Sequence, residues 1–198
     1  MNHNVSFDEA AHRYTVDGVE VPSVTEVCRF LSYDQKSGKP WLARVAADRG
    51  TRVHVACAAI DYGMEPEEEP DTAGYLKAYR RFLKDYRPDW EGIEYTVGNA
   101  DLGMAGTIDR FGTLYDGRSC IVDLKTGENL HDAPLRGQMT GYKRLLVNER
   151  GFWPERLYAL QLCKDSTYRL WEVLQDDELL NACIFINKAV RRKKVNAK

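Results

Sequence analysis

The sequence predicts an α+β (mixed α/β) fold, a central mixed β-sheet flanked by helices, on three observations. Helix-like stretches dominate the first half of the chain, strand-like runs joined by an Asp-Gly turn fill the middle, and a helix, a hairpin and a closing helix follow. The length of 198 residues suits one domain, read here as residues 1–198 with an N-terminal hairpin and helix extension of about the first 40.

Each element has a local cause. In HRYTVDGVEV, Tyr14 and Val16 precede Asp17-Gly18, and Val19 and Val21 follow it, the pattern of a β-hairpin with a tight turn. Pro22 stops the strand, and Ser23 to Glu26 has the capping-box spacing, so a helix should start there and run toward Leu31. YDQKSGK reads as a polar loop. From Pro40 to about Tyr62, Trp41, Val45, Ala56 and Ile60 recur at helical intervals and predict one long helix, with Gly50 the candidate break point. The run MEPEEEPD, five acids within seven residues, reads as a solvated linker. A helix over about Thr72 to Tyr86 places Tyr75, Tyr79, Phe82 and Tyr86 on one core-facing stripe.

Strands are expected at Ile93 to Val97, Met104 to Tyr115 and Ser119 to Lys125, the last two joined by Asp116-Gly117. A helix from about Pro134 to Val147 follows, then a hairpin of Leu157 to Cys163 and Tyr168 to Leu174. The closing helix covers about Asp177 to Arg191 and leads into a basic tail.

Composition excludes several classes. Lysine plus arginine is 28 and aspartate plus glutamate 30, a net charge of −2, which argues against histone-like coating of nucleic acid but leaves a local basic groove open. Five cysteines (Cys28, Cys57, Cys120, Cys163, Cys183) without a CxxC disfavour a zinc ribbon, a thioredoxin-type site, an iron–sulfur cluster and a disulfide framework. Reduced core thiols of an intracellular, cytoplasmic protein are expected instead. No apolar run approaches the ~20 residues of a membrane span, and the N-terminus lacks the basic and apolar regions of a signal peptide, so no membrane anchor is expected.

Chemistry concentrates at Asp109 in GTIDRFG and at Asp123 and Lys125 in IVDLKTG. Strand alternation points Asp123 and Lys125 to one side and Val122 and Leu124 into the core. Counting inward from the Asp116-Gly117 turn sets Asp109 almost opposite Asp123 unless a bulge intervenes. Carboxylates at that distance repel unless something positive lies between them. A divalent cation resolves the conflict, since hard oxygens bind Mg²⁺ and the ion outweighs the repulsion. Lys125 projects to the same place, where an ammonium can orient or help deprotonate a water and neutralise phosphate charge, as phosphodiester hydrolysis requires. The alternative is a plain Asp–Lys pair on a solvated strand face.

Four motifs in order, Gly50-Thr51-Arg52-Val53-His54, Gly106-Thr107-Ile108-Asp109, Ile121 to Gly127 (IVDLKTG) and Gln138-Met139-Thr140-Gly141-Tyr142, carry a resemblance. With them the chain resembles the PD-(D/E)XK nuclease superfamily, in particular the branch of the RecB nuclease domain, phage recombination exonucleases and the mitochondrial genome maintenance exonuclease. HRYTVDGVEVPSVTEV also looks like the lead-in of phage members. The resemblance implies a restriction-endonuclease-like core. It implies Asp109 and Asp123 as carboxylate ligands of a catalytic Mg²⁺ or Mn²⁺, the Leu124 carbonyl as a further ligand, Lys125 as the catalytic lysine and His54 as a helix-borne metal ligand. Gln138 and Tyr142 match the QxxxY motif associated with holding the substrate strand. The chain lacks the Pro-Asp that often precedes the site, carries Asp rather than Glu at 123, and lacks the cysteine set of the iron–sulfur members.

The residues read independently as follows. Gln138 and Tyr142, four apart, share one helix face, either over a nucleotide or as a hydrogen-bonded core pair. His54 lies among alanine and valine, either as an uncharged core histidine or as a ligand whose nitrogen would suit Mn²⁺ better than Mg²⁺. Glu94 could add an outer carboxylate, His131 is either a plain loop histidine or one beside the site, and His3 and His12 read as surface residues. Arg49, Arg52, Arg136, Lys143 and Arg144 flank the motifs and suggest a basic rim. The Arg191 to Lys194 run is a solvated helix end or a contact to the DNA backbone.

The function expected is a metal-dependent deoxyribonuclease, an exonuclease of phage or bacterial recombination, repair or replication. Its partner is DNA, single- or double-stranded with a free end, with room for a recombination or single-strand-binding protein. A structure-specific endonuclease and a non-catalytic DNA-binding module of the same fold are the alternatives.

Overall fold

The structure, a computed structural model, describes residues 3–35 and 40–195. At Asp17-Gly18 both residues take positive φ (51° and 79°), as a two-residue hairpin turn demands. Arg13–Val16 (β2) therefore folds back on Val19–Val21 (β3). A strand not expected from the sequence, Val5–Asp8 (β1), pairs with the other edge of β2, so the hairpin becomes a three-stranded sheet.

Ser23 caps the next helix by accepting a hydrogen bond from the Glu26 amide at 2.9 Å. The α-helix lasts only over Val24–Val27 (α1) and tightens into a 3₁₀ segment, Cys28–Gln35. Pro40–Asp61 (α2) is a single helix, unbroken at Gly50. Tyr75, Tyr79 and Phe82 are buried on one stripe of Ala73–Tyr86 (α3), as its spacing predicts. The acidic run before α3 is tied down rather than merely solvated: Glu69 and Asp71 bind Arg52, and Glu65 binds Arg80.

Asp89–Asn99 (β4), Met104–Thr113 (β5), Ser119–Lys125 (β6), Arg156–Leu162 (β7) and Tyr168–Glu172 (β8) form the central sheet in that order. It is mixed: β6 and β7 are parallel, joined through the helix Asp132–Arg150 (α4), and the other neighbours are antiparallel. Asp177–Val195 (α5) closes the fold.

Both faces of the sheet are covered. Ile121 and Ala159 share an apolar cluster with Val24 of α1, Met139 and Leu145 of α4 and Leu180 of α5. Val122, Leu124 and Leu160 point the other way and pack with Val53 and Cys57 of α2 and Leu76 and Phe82 of α3. That is the alternation expected for β6. The five cysteines are free thiols, four of them buried. Among the described residues no helix is long and apolar enough to cross a membrane. The YDQKSGK loop falls in part on residues 36–39, and the DNA-contact reading of the basic tail on side chains beyond Arg191; both lie outside the described residues.

Candidate active site

The register set by the Asp116-Gly117 turn runs inward to Arg110 opposite Val122, where the β5–β6 ladder ends. One step further the strands part. The Leu124 amide donates instead to Asp109 Oδ2 at 2.6 Å, so the carboxylate is wedged into the fork. Helices reach this fork from both faces of the sheet.

From α2, His54 sets Nε2 3.1 Å from the Leu124 carbonyl and Nδ1 3.5 Å from Asp109 Oδ1 and 3.9 Å from Glu94 Oε1. Gly50 faces the loop after β6 closely, and a Cβ there would stand 3.3 Å from Thr126 Oγ1. Glu94 arrives by a distortion of its strand: it takes φ 47°, and the β4–β5 register passes from Ile93 to Tyr95 without pairing it. A side chain held in the left-handed region inside a strand is strained, and such strain collects at functional sites. His54, Glu94 and Asp109 each bring a ligand atom within 4.8 Å of the others.

From α4, Gln138 lies over the far side of the fork. Lys125 Nζ donates to its Oε1 at 3.1 Å, and its Nε2 lies 3.2 Å from Asp123 Oδ1 and 3.1 Å from the Tyr142 hydroxyl. Gly106 makes room for the Tyr142 ring, since a Cβ would meet Tyr142 Cε1 at 2.8 Å. Lys125 Nζ also stands 2.6 Å from Asp123 Oδ2, yet that buried oxygen receives no well-directed hydrogen bond. Asp123 is thus adjacent to the His54–Glu94–Asp109 cluster but outside the 4.8 Å group.

The electrostatics follow from burial and crowding. Burial pushes the Asp123 carboxyl above its ordinary range, and Asp109 adds to this while Lys125 opposes it. Burial acts the same way on Asp109, but His54, Lys125 and the Leu124 amide outweigh it and hold that carboxyl low. Burial and the Asp109 charge raise Glu94 against Arg110 and His54. Burial disfavours the His54 cation, yet Asp109, Glu94 and Asp123 more than offset it and bring its pKa to about 9. Lys125 is likewise kept protonated by Asp123 and Asp109 against the cost of burial.

This arrangement fits a hard divalent cation. It offers acidic oxygens and one imidazole around a shared point, with the Asp123 carboxylate, paired with Lys125, next to it.

Three contributors are not apparent in the sequence. Arg110, fully buried, donates from Nε to Asp61 Oδ2 at 2.5 Å and from Nη1 to Glu94 Oε1 at 3.0 Å, so it positions Glu94. Asp61, at the end of α2, also accepts from the Tyr79 hydroxyl and the Trp90 indole. Gln161, beside Lys125 in the β6–β7 register, donates to the Gly127 and Glu128 carbonyls and pins the loop after IVDLKTG. The one sequence signal for them is Arg110 itself, a charged residue at a strand position expected to be apolar.

The expected basic rim is otherwise engaged. Arg52 binds Glu69 and Asp71, Arg136 binds Asp132 and Asp176, Arg144 binds Asp177, Arg49 lies over Tyr75 and Lys143 over Trp153. Arg52, Arg136 and Arg144 are therefore paired with acids, whereas Arg49 and Lys143 keep their charge against aromatic faces. His131 is the N-cap residue of α4 without a capping side-chain bond, and His3 bonds Asp17.

No family model matches the chain, and no curated protein does. Among solved structures, the alkaline exonuclease LHK-Exo from Laribacter hongkongensis aligns over 90% of this chain and 95% of its own, at 11% identity and a TM-score of 0.44. The same values hold for LHK-Exo in complex with dAMP. A protein named SSO0001 aligns over 58% of this chain and 54% of its own, at 14% identity and a TM-score of 0.35. At these scores the likeness decides nothing about the chemistry, which is read from the side chains of this chain.

Proposed function

We propose that this protein is a divalent-metal-dependent deoxyribonuclease, an exonuclease that hydrolyses DNA phosphodiester bonds in recombination, repair or replication. One observation carries the reading: a histidine and three acids crowd a strand fork beside a lysine held protonated. His54 and Lys125 carry protons that balance these acids in the metal-free protein, and a divalent cation held by the acids would take the place of the His54 proton.

Asp109, Glu94 and His54 would hold the ion, with Asp123 and the Leu124 carbonyl beside them. When bound, Mg²⁺ or Mn²⁺ supplies the positive charge that activates water and polarises the phosphate. Lys125, being protonated, donates hydrogen bonds to anionic phosphate oxygens and balances charge as the pentavalent arrangement forms. Gln138 holds Lys125 and Asp123 in one orientation and ties both to Tyr142. The resemblance of the four motifs to a branch that includes exonucleases favours an exonuclease over an endonuclease.

The test is digestion of end-labelled linear and circular DNA, single- and double-stranded, with Mg²⁺, Mn²⁺ or EDTA. Linear DNA should be degraded from its ends with either metal, circular DNA spared, and EDTA should stop the reaction. Asp123→Asn and Lys125→Ala should each lose ~10²–10³-fold in rate, on the scale of removing one charge-stabilising group from a transition state. Wild-type rates in either variant would end this reading, and cutting of circles would turn it toward an endonuclease.

A further inference from the structure

The cleft that opens on His54 and Glu94 has a wall that the hydrolytic groups do not use. Helix α2 forms one side, with Gly50, Thr51 and Val55, and the N-terminal sheet forms the other, with Phe7, His12 and Tyr14. The space between is about 770 Å³, within the roughly 300–1,000 Å³ range of sites for nucleotide-sized ligands. Among the described residues its lining contains no lysine or arginine, so this wall has little to offer a phosphate group. Glu9 and Glu94 add carboxylates to it, so its attraction for a ligand lies in its rings.

Phe7 and Tyr14 stack with centroids 4.4 Å apart and planes 23° from parallel. His12 stands edge-on to both, at 5.3 Å from Phe7 and 6.3 Å from Tyr14. His12 is exposed and holds φ 50°, a conformation unfavourable for a residue with a β-carbon. Phe7 is only partly buried. Buried Tyr14 locks the group to the catalytic strands: its hydroxyl lies 3.0 Å from Thr107 Oγ1, which lies 3.3 Å from Thr96 Oγ1. Thr107 and Thr96 are each two residues from a member of the acid cluster, Asp109 and Glu94. The rings are therefore fixed relative to the point of hydrolysis.

We propose that the exposed His12 ring, braced edge-on by the Phe7–Tyr14 stack, is a stacking face for an unpaired nucleobase next to the phosphate being cut, so that the site prefers single-stranded DNA or a frayed end over intact duplex. This rests on the nuclease reading above. Bases inside a duplex stack on their own neighbours, and only unpaired ones present a free face to an aromatic side chain.

The experiment uses short single-stranded oligodeoxynucleotides in which one base at a time is replaced by an abasic sugar, with a blunt duplex as comparison. Wild type is set beside Phe7→Leu, which keeps apolar packing on Tyr14, and His12→Asn, which tolerates the left-handed backbone and changes an exposed position. For wild type, loss of the base at one position near the cut should raise KM roughly tenfold with kcat little changed, the size of one base–aromatic contact. In each variant the intact strand should show that rise, and the abasic series should become flat. A flat series in wild type, variants that match wild type, or faster cutting of the blunt duplex would overturn the stacking face while leaving the nuclease reading in place. No cleavage of any DNA by wild type with Mg²⁺ or Mn²⁺ would overturn both.

Discussion

Replacing Arg110 with methionine tests how the candidate site is held together. The guanidinium is fully buried and neutralises Asp61, which is 2% exposed, while Nη1 reaches Glu94 at 3.0 Å. Methionine fills similar space without strain but leaves the Asp61 carboxylate buried without its cation. Breaking a buried pair by deleting one partner costs ~3–5 kcal/mol, and a domain of this size loses ~2–4 °C of Tm per kcal/mol, so a fall of ~6–20 °C is expected. Asp61→Asn, which leaves Arg110 paired with Glu94 and keeps one acceptor oxygen, for the Tyr79 hydroxyl or the Trp90 indole but not both, should cost less. The loss also reaches the site: without Arg110 the Glu94 carboxyl, already raised by burial and Asp109, rises further and binds a cation more weakly, most of all at low pH. Thermal unfolding of the metal-free proteins and calorimetric Mn²⁺ titration read the two effects. An Arg110→Met protein that melts with wild type and binds Mn²⁺ equally would show that Arg110 neither neutralises Asp61 nor positions Glu94.

Three further outcomes follow from the same geometry. Asp123 has a raised pKa in the folded state, so its charged form opposes folding once pH exceeds the unfolded carboxyl value; metal-free Asp123→Asn should melt at or above wild type at neutral pH while losing cleavage, and a large drop in Tm would contradict this. His54 titrates at about 9 against an ordinary value of 6.5, so in the metal-free protein its stabilising contribution is complete below about 6.5 and disappears as pH rises through about 9. A bound cation must displace that proton, so Mn²⁺ affinity should climb from pH 6.5 to 9, Mn²⁺ should support cleavage at least as well as Mg²⁺, and His54→Ala should flatten the climb; isotherms independent of pH in wild type would refute it. Gln138→Leu removes hydrogen bonds to Lys125, Asp123 and Tyr142 at once, and each buried group left unpaired costs ~1–3 kcal/mol; kcat should fall more than KM changes, and a variant with wild-type Tm and kcat would show that Gln138 does not orient the pair.

Features written into a few neighbouring residues are legible in the sequence itself. Asp116-Gly117 sets the β5–β6 register, pleating sends Val122 and Leu124 to one face and Asp123 and Lys125 to the other, and four-residue spacing puts Gln138 and Tyr142 on one side of α4, because turn chemistry and the periods of strand and helix are local properties. Strand β1 is not legible in that way, because four residues of alternating exposure carry little signal without the neighbour they pair with. Tertiary structure alone decides that α2 runs unbroken past Gly50 to bring His54 to the fork, that Glu94 twists into the acid cluster, and that Arg110 turns inward to Asp61. Arg110 and Asp61 lie far apart in the chain, and the energy of pairing two charges depends on burial and distance after folding, quantities that no local pattern of residue types contains.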